Sequence, residues 1–114
     1  MRPARRNWIA SNNESWRFSF PLRNAAGPFD LTGYSNFKMQ LRRYPEAASI
    51  DLDLSSGSGL SVDTPANGVI EGTTSLSQVQ NLYGEYVYDV TAVFAGAPVV
   101  LVTGSITVRQ GITR

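Results

Sequence analysis

Tyr83-Gly84-Glu85-Tyr86-Val87-Tyr88-Asp89-Val90 is the stretch of the sequence that decides the fold class. Tyr86 and Tyr88 are two positions apart, and side chains with this spacing lie on the same face of a β-strand. Earlier in the chain, Phe29-Asp30-Leu31-Thr32-Gly33 has the composition of a turn that leads into another strand. Together the two segments indicate a small β-sandwich.

Alternation of apolar and polar residues, bounded by turn residues, predicts strands through most of the chain. The clearest case is 15–22, in which every second residue from Trp16 to Leu22 is apolar, and Pro21 places the end of this strand at a sheet edge or a bulge. The predicted strands are 7–10, 15–22, 34–42, 50–54, 60–62, 69–74, 85–94 and 98–109. The last two are joined by a short connection, so we expect them to pair antiparallel in the middle of the sheet.

Residues 75–82 interrupt this pattern and predict a short helix, because Ser75 and Gln78 have the spacing of a capping box. The predicted fold is therefore all-β: an immunoglobulin-like antiparallel β-sandwich of about seven strands, with one short helix before the penultimate strand. We expect a single domain over 7–114, preceded by a flexible amino-terminal arm over 1–6.

Composition excludes several classes of site. The 114 residues include no cysteine and no histidine, which rules out disulfides, thiolate zinc sites, histidine metal sites and serine–histidine triads. Apolar runs such as 97–102 are far shorter than the ~20 residues of a membrane helix, and no hydrophobic region follows the basic amino terminus as in a secretory signal. We therefore expect neither a membrane partner nor a cofactor.

The positive charge is carried almost entirely by arginine. The chain has nine arginines, one lysine (Lys38) and nine carboxylates, for a net charge of +1. Arginine suits protein–protein contacts because its planar fork binds carboxylates, although the codon usage of a GC-rich genome explains the bias equally well. Arg2, Arg5 and Arg6 are too few to indicate nucleic acid binding, and we expect this arm to order against a neighbouring subunit.

The order and spacing of several short motifs carry a family resemblance. They are Trp8-Ile9, Asn13–Trp16, Gly27–Gly33, Met39–Arg42, Asn67–Ile70, the 76–82 segment, Gly84–Val90 and Val102–Val108. In this order they resemble the amino-terminal immunoglobulin-like domain of phage baseplate upper proteins and related tail proteins, over nearly the whole chain.

The resemblance implies a non-enzymatic structural protein of a bacteriophage particle, an adaptor that assembles with copies of itself and with other phage structural proteins. It implies localisation in the virion after assembly in the bacterial cytoplasm. Tail, baseplate, neck and head surface all remain open as its place in the particle, and no small-molecule substrate is expected.

A candidate interface follows from the alternation in the last two strands. If Tyr86, Tyr88, Val90 and Phe94 point inward with Val100, Val102, Ile106 and Val108, the other residues of this hairpin form an apolar outer surface. Arg42 and Asp89 should meet on that side, unless a loop at 44–49 covers the surface. The candidate interface residues are Arg2, Arg5, Arg6, Lys38, Gln40, Arg42, Val87, Asp89, Val93, Val99 and Leu101.

Individual residues suggest three other functions. Asp51 and Asp53 share a strand face and have a separation compatible with a glycoside hydrolase, but alternating aspartates are also typical of a solvated strand face. With Asp63 they could bind calcium, although their spacing is not that of a standard calcium loop. Tyr44 and Tyr83 lie near loops and are candidates for a carbohydrate-binding module that recognises polysaccharide on the host surface.

Overall fold

The computed structural model describes residues 3–25 and 27–111. Strands account for 57% of the structure and helices for 6%, so the predicted all-β class is confirmed. In chain order the strands are β1 (Ala4–Arg5), β2 (Trp8–Ser11), β3 (Arg17–Pro21), β4 (Arg23–Asn24), β5 (Gly27–Pro28), β6 (Tyr34–Arg42), β7 (Leu52–Ser56), β8 (Gly59–Ser61), β9 (Val69–Thr73), β10 (Gly84–Phe94) and β11 (Ala97–Arg109).

A short helix, α1 (Leu76–Val79), precedes the penultimate strand, as the capping pattern predicts. The backbone N–H of Ser75 donates to Oε1 of Gln78 at 2.8 Å, which is the backward half of a capping box. The helix ends earlier than the predicted 82 because the chain turns there: the N–H of Leu82 donates to the carbonyl of Val79 at 3.0 Å. Val79 and Leu82 are buried, so α1 covers one end of the core.

Within the described residues the main sheet follows the order β1-β11-β10-β6-β7-β8-β9-β3. β2 also pairs with β11, at positions further along that strand than those paired with β1. The β10–β11 hairpin is antiparallel and central, as predicted. The expectation of antiparallel pairing throughout is wrong, since β1 and β2 run parallel to β11, and β7 runs parallel to β8. The amino-terminal segment forms β1 and then β2 along the outer edge of β11, and both strands run in the same direction as β11. The chain then turns into β3.

The sheet curls until its two outer strands, β2 and β3, face each other through aromatic side chains. The ring of Trp8 lies 5.5 Å from that of Trp16 and 5.2 Å from that of Phe18, measured between centroids. Nη2 of Arg6 donates to the carbonyl of Pro21 across the same gap at 3.4 Å. Pro21 therefore lies on an edge strand, where its missing N–H removes no ladder hydrogen bond.

One hydrophobic core fills the curled sheet, and most of the predicted inward faces are confirmed. Every second residue of β6 from Phe37 to Leu41 is buried, and so are Tyr86, Tyr88 and Val90 of β10. The remaining buried apolar residues are Trp16, Phe20, Leu22, Leu31, Leu52, Leu54, Leu60, Ile70, Val79, Leu82, Ala92, Leu101, Val102, Ile106 and Val108.

A β-bulge changes the alternation in β11. Val90 pairs with Val102, but the next residue, Thr91, pairs with Val100. Leu101 is thus an extra residue with no direct partner on β10. A bulge of this kind bends its strand and shifts the residues beyond it to the opposite face.

The bulge overturns part of the predicted outer surface. Leu101 was expected to face outward and is fully buried, whereas Phe94 and Val100 were expected in the core and are 43% and 39% exposed. Val99 pairs with the buried Ala92 and packs against the core instead of facing outward. The expected orientations of Val99, Val100 and Leu101 are wrong because the bulge interrupts the alternation of β11. Phe94 keeps the alternation of β10 and is exposed because it lies at the end of that strand, where its ring stacks on that of Tyr34 at a centroid distance of 4.5 Å.

A candidate interface on the outer face

The outer face is defined here as the surface of β1, β11, β10, β6 and β7 that points away from the core. Pairing across these strands aligns a row of five residues: Arg5, Thr103, Asp89, Gln40 and Asp53. Directly paired residues lie on the same face of a sheet, so all five side chains project outward. The row contains one arginine at one end and two aspartates further along.

The structure brings several of the predicted interface residues together in an open depression of about 480 Å³. Val87 and Val93 lie on the outer face of β10 and are half-buried, while Lys38 is exposed beside them on β6. The residues that line the depression are Gln40, Arg42, Pro45, Val87, Tyr88, Asp89 and Thr103. Threonine and serine side chains of β11 occupy much of the area that the sequence predicts to be apolar.

The loop after β6 folds back onto one end of this face. The Arg42 guanidinium donates to the carbonyl of Ala47 and, at 3.2 Å, to Oε1 of Gln40. Pro45 of the same loop lines the depression beside Val87. The alternative in which the loop at 44–49 covers the outer surface therefore applies near the start of β10, beside Val87.

Arg42 and Asp89 lie on neighbouring strands, as predicted, but in diagonal positions. Arg42 is paired with Val87, and Asp89 is paired with Gln40. Among residues 3–25 and 27–111, no ion pair has a nitrogen–oxygen distance of 4.0 Å or less. Partial burial of the Asp89 carboxyl removes water from around it and raises its pKa above the usual value, and the nearby charge of Arg42 opposes this rise.

The basic amino-terminal segment lies along β11 as far as the structure describes it, and Arg2 lies outside the described residues. Arg5 is exposed in β1 opposite Thr103, and the N–H of Arg6 donates to the Thr103 carbonyl at 3.0 Å. Ala4 and Arg5 thus belong to the sheet, because the outer edge of β11 offers open hydrogen-bonding groups.

A close backbone contact that the sequence pattern does not predict joins β1 and β2 to the core. The chain kinks between the two strands, and the carbonyl of Arg6 packs directly against Gly104, where it accepts a hydrogen bond from the Tyr88 hydroxyl at 2.8 Å. Oδ1 of Asn7 accepts from the N–H of Ser105 at 3.0 Å beside it. Gly104 inside a strand was the available signal, since an interior glycine often marks a close approach of another backbone.

The Tyr88 hydroxyl gives the fold a defined sensitivity to alkaline pH. Burial raises the pKa of Tyr88 from 10.0 to about 12. Because the folded pKa is the higher one, its stabilising contribution is complete below pH 10 and is lost as the pH rises through 12. We expect the free energy of unfolding to fall over this interval in the wild type.

Tyr88→Phe is the matched variant for this prediction. It should lower stability at pH 7 by about 1 to 3 kcal/mol, because the Arg6 carbonyl loses its donor. The additional loss between pH 10 and 12 should then be smaller than in the wild type. Urea unfolding at several pH values measures both effects, and identical pH profiles would contradict the assignment to Tyr88.

The residues of the alternative functions lie in or next to β7, after β8 and in the segments after β6 and before β10. Asp53 lies on the outer face of β7, Asp51 lies just before that strand, and Asp63 follows β8. Over the described ranges, no group of three or more His, Cys, Asp or Glu residues could hold a metal ion, so these aspartates do not gather into such a cluster. Tyr44 and Tyr83 are 57% and 59% exposed.

No helix in the part of the chain that the structure describes is both long and apolar enough to span a membrane. Comparison with protein-family models and with curated proteins finds no match for this chain.

Proposed function

We propose that this chain is a non-enzymatic structural protein of a bacteriophage particle, an adaptor of the tail, baseplate or neck that acts through protein–protein contacts. Its partners are copies of itself and other phage structural proteins, and its location is the virion. The outer face carries this proposal. It is a broad, open sheet surface that combines half-buried valines with charged and hydroxyl side chains, a mixture suited to macromolecular contact.

The order of the strands supports the immunoglobulin-like part of the proposal. In immunoglobulin sandwiches, strand E lies between D and B, and strand F lies between G and C. Here β9 lies between β8 and β3, and β10 lies between β11 and β6. The two neighbourhoods correspond if β3, β6, β8, β9, β10 and β11 take the places of B, C, D, E, F and G.

A tyrosine at the start of β10 supports the same relationship. The hydroxyl of Tyr86 accepts a hydrogen bond from the backbone N–H of Tyr83 at 3.1 Å. Immunoglobulin-like domains often place a tyrosine near the start of strand F, with its hydroxyl bonded to the backbone a few residues upstream. The guanidinium of Arg43 lies over the Tyr86 ring, 4.2 Å from its centre.

Labelling of purified phage particles tests the proposal. Particles that carry a tagged copy of the chain should contain it by mass spectrometry, and gold-labelled antibody should mark one position on the particle. Val87→Glu on the outer face should reduce incorporation, whereas Thr73→Glu on the exposed face of β9 is the matched control. Particles that lack the chain altogether would show that it is not a virion component.

The exposure of Tyr44 and Tyr83 favours a second candidate, a module that binds polysaccharide on the host surface. Exposed aromatic rings are suited to stacking against sugar rings. A glycan array with the purified protein separates the two functions, because an assembly protein should bind no glycan. Binding that disappears in both Tyr44→Ala and Tyr83→Ala would support the carbohydrate-binding function instead.

A further inference from the structure

The outer face has a charge pattern that is complementary to itself. Arg5, Thr103 and Asp89 occupy successive strands of one row, so Thr103 lies midway between a positive and a negative side chain. Adjacent strands are separated by about 4.8 Å, which places the two charges at nearly equal distances on either side of β11. A second copy related by a 180° rotation about an axis that is parallel to β11 and lies above the outer face therefore places its Arg5 opposite Asp89 of the first copy, and its Asp89 opposite Arg5.

Both charges are available for a partner. Arg5 and Asp89 are exposed, and neither takes part in an ion pair within 4.0 Å. Arg42, the nearest positive charge to Asp89, gives its hydrogen bonds to Ala47 and Gln40. The Asp89 carboxylate is also partly desolvated by its surroundings, so an added arginine fork would meet a charge that water solvates incompletely.

We propose that two copies of this chain pack outer face to outer face about a two-fold axis along β11, and that Arg5 of each copy pairs with Asp89 of the other. The proposal rests on the proposed function in assembly and names the self-contact that it requires. Such an interface is isologous: each copy contributes the same residues, and a single contact type occurs twice.

The side chains near the proposed axis permit a close approach. Thr103, Ser105 and Thr107 are small and hydroxyl-bearing, and they lie along the outer side of β11. Val100 lies on the same face opposite Thr91, is 39% exposed, and would meet its own copy near the axis. Sheets with small facing side chains pack about 10 Å apart, within reach of an arginine side chain.

Charge reversal at the two positions tests the pairing. Because of the symmetry, Arg5→Glu alone or Asp89→Arg alone removes both ion pairs and places like charges together. Each single variant should raise the dimer dissociation constant about tenfold or more, as measured by sedimentation equilibrium of the purified chain. The double variant restores opposite charges and should return the constant to near the wild-type value.

Arg17→Glu is the matched control, since Arg17 is an exposed arginine on β3 and lies outside the proposed interface. It should leave the dimer unchanged, and circular dichroism establishes that each variant is folded. A monomeric wild type, unchanged dimers in both single variants, or a double variant that stays as weak as the singles would each overturn the proposal. These results are independent of particle labelling, so a failed dimer and a failed virion assignment are distinguishable.

Discussion

Replacing Gly104 with alanine should lower the free energy of unfolding by about 3 kcal/mol or more. A Cβ at this position would lie 2.7 Å from the carbonyl carbon of Arg6 and 3.1 Å from Oδ1 of Asn7, with the Arg6 oxygen closer still. The obstructing atoms are mostly backbone, so the site cannot adjust by rotation of a side chain. Relief requires the β1–β2 kink to leave β11, which would also break the hydrogen bond from Tyr88.

Gly96→Ala is the matched control for this variant. Gly96 has a φ of +80°, which disfavours alanine, but no atom lies within 4 Å of the position of its Cβ. Gly96→Ala should lower the free energy of unfolding by about 1 kcal/mol, from the backbone conformation alone. Chemical unfolding of the two variants compares them directly, and a Gly104→Ala cost no larger than that of Gly96→Ala would show that the kink is easily displaced.

Replacing Leu101 with alanine should lower the free energy of unfolding by about 2 to 5 kcal/mol. The side chain is fully buried, and its removal leaves a cavity where the bulge turns it into the core. This outcome is opposite to that expected from uniform alternation, which places Leu101 on the surface and predicts nearly unchanged stability. The measurement therefore also tests the bulge.

Val100→Ala provides the comparison on the adjacent residue. Val100 is 39% exposed and should lose much less stability on truncation, about 1 kcal/mol or below. Thermal and urea unfolding of both variants give the ranking. Equal losses at the two positions, or a larger loss at Val100, would mean that the register of β10 and β11 has no bulge at Leu101.

Alternation was a reliable guide within those stretches of a strand that keep one register with the neighbouring strand. In β6, the burial of Phe37, Met39 and Leu41 follows directly from their spacing, and so does that of Trp16 and Phe20 around β3. The capping spacing of Ser75 and Gln78 likewise identified the start of α1. These signals are local, because each depends on residues that are only a few positions apart.

The candidate interface was predictable only in part. Lys38, Gln40, Arg42, Val87 and Asp89 were expected on one surface, and the structure brings them together there. The inclusion of Leu101 and Val99 failed because a bulge gives β11 one more residue than its partner strand, and nothing in the β11 sequence marks the position. Similarly, the bonds from Arg42 to Ala47 and Gln40 depend on how the following loop folds.

The sequence by itself determined the all-β class, most of the strands and the faces of those strands that have regular alternation. It also excluded cysteine and histidine chemistry through the absence of both residues. Only the tertiary structure decided that β1 and β2 run parallel to β11, that the Arg6 carbonyl rests on Gly104, and that Arg5 aligns with Asp89. The physical reason is that strand pairing joins residues far apart in the chain, and its direction and register depend on the backbone of the partner strand as well as on the local pattern.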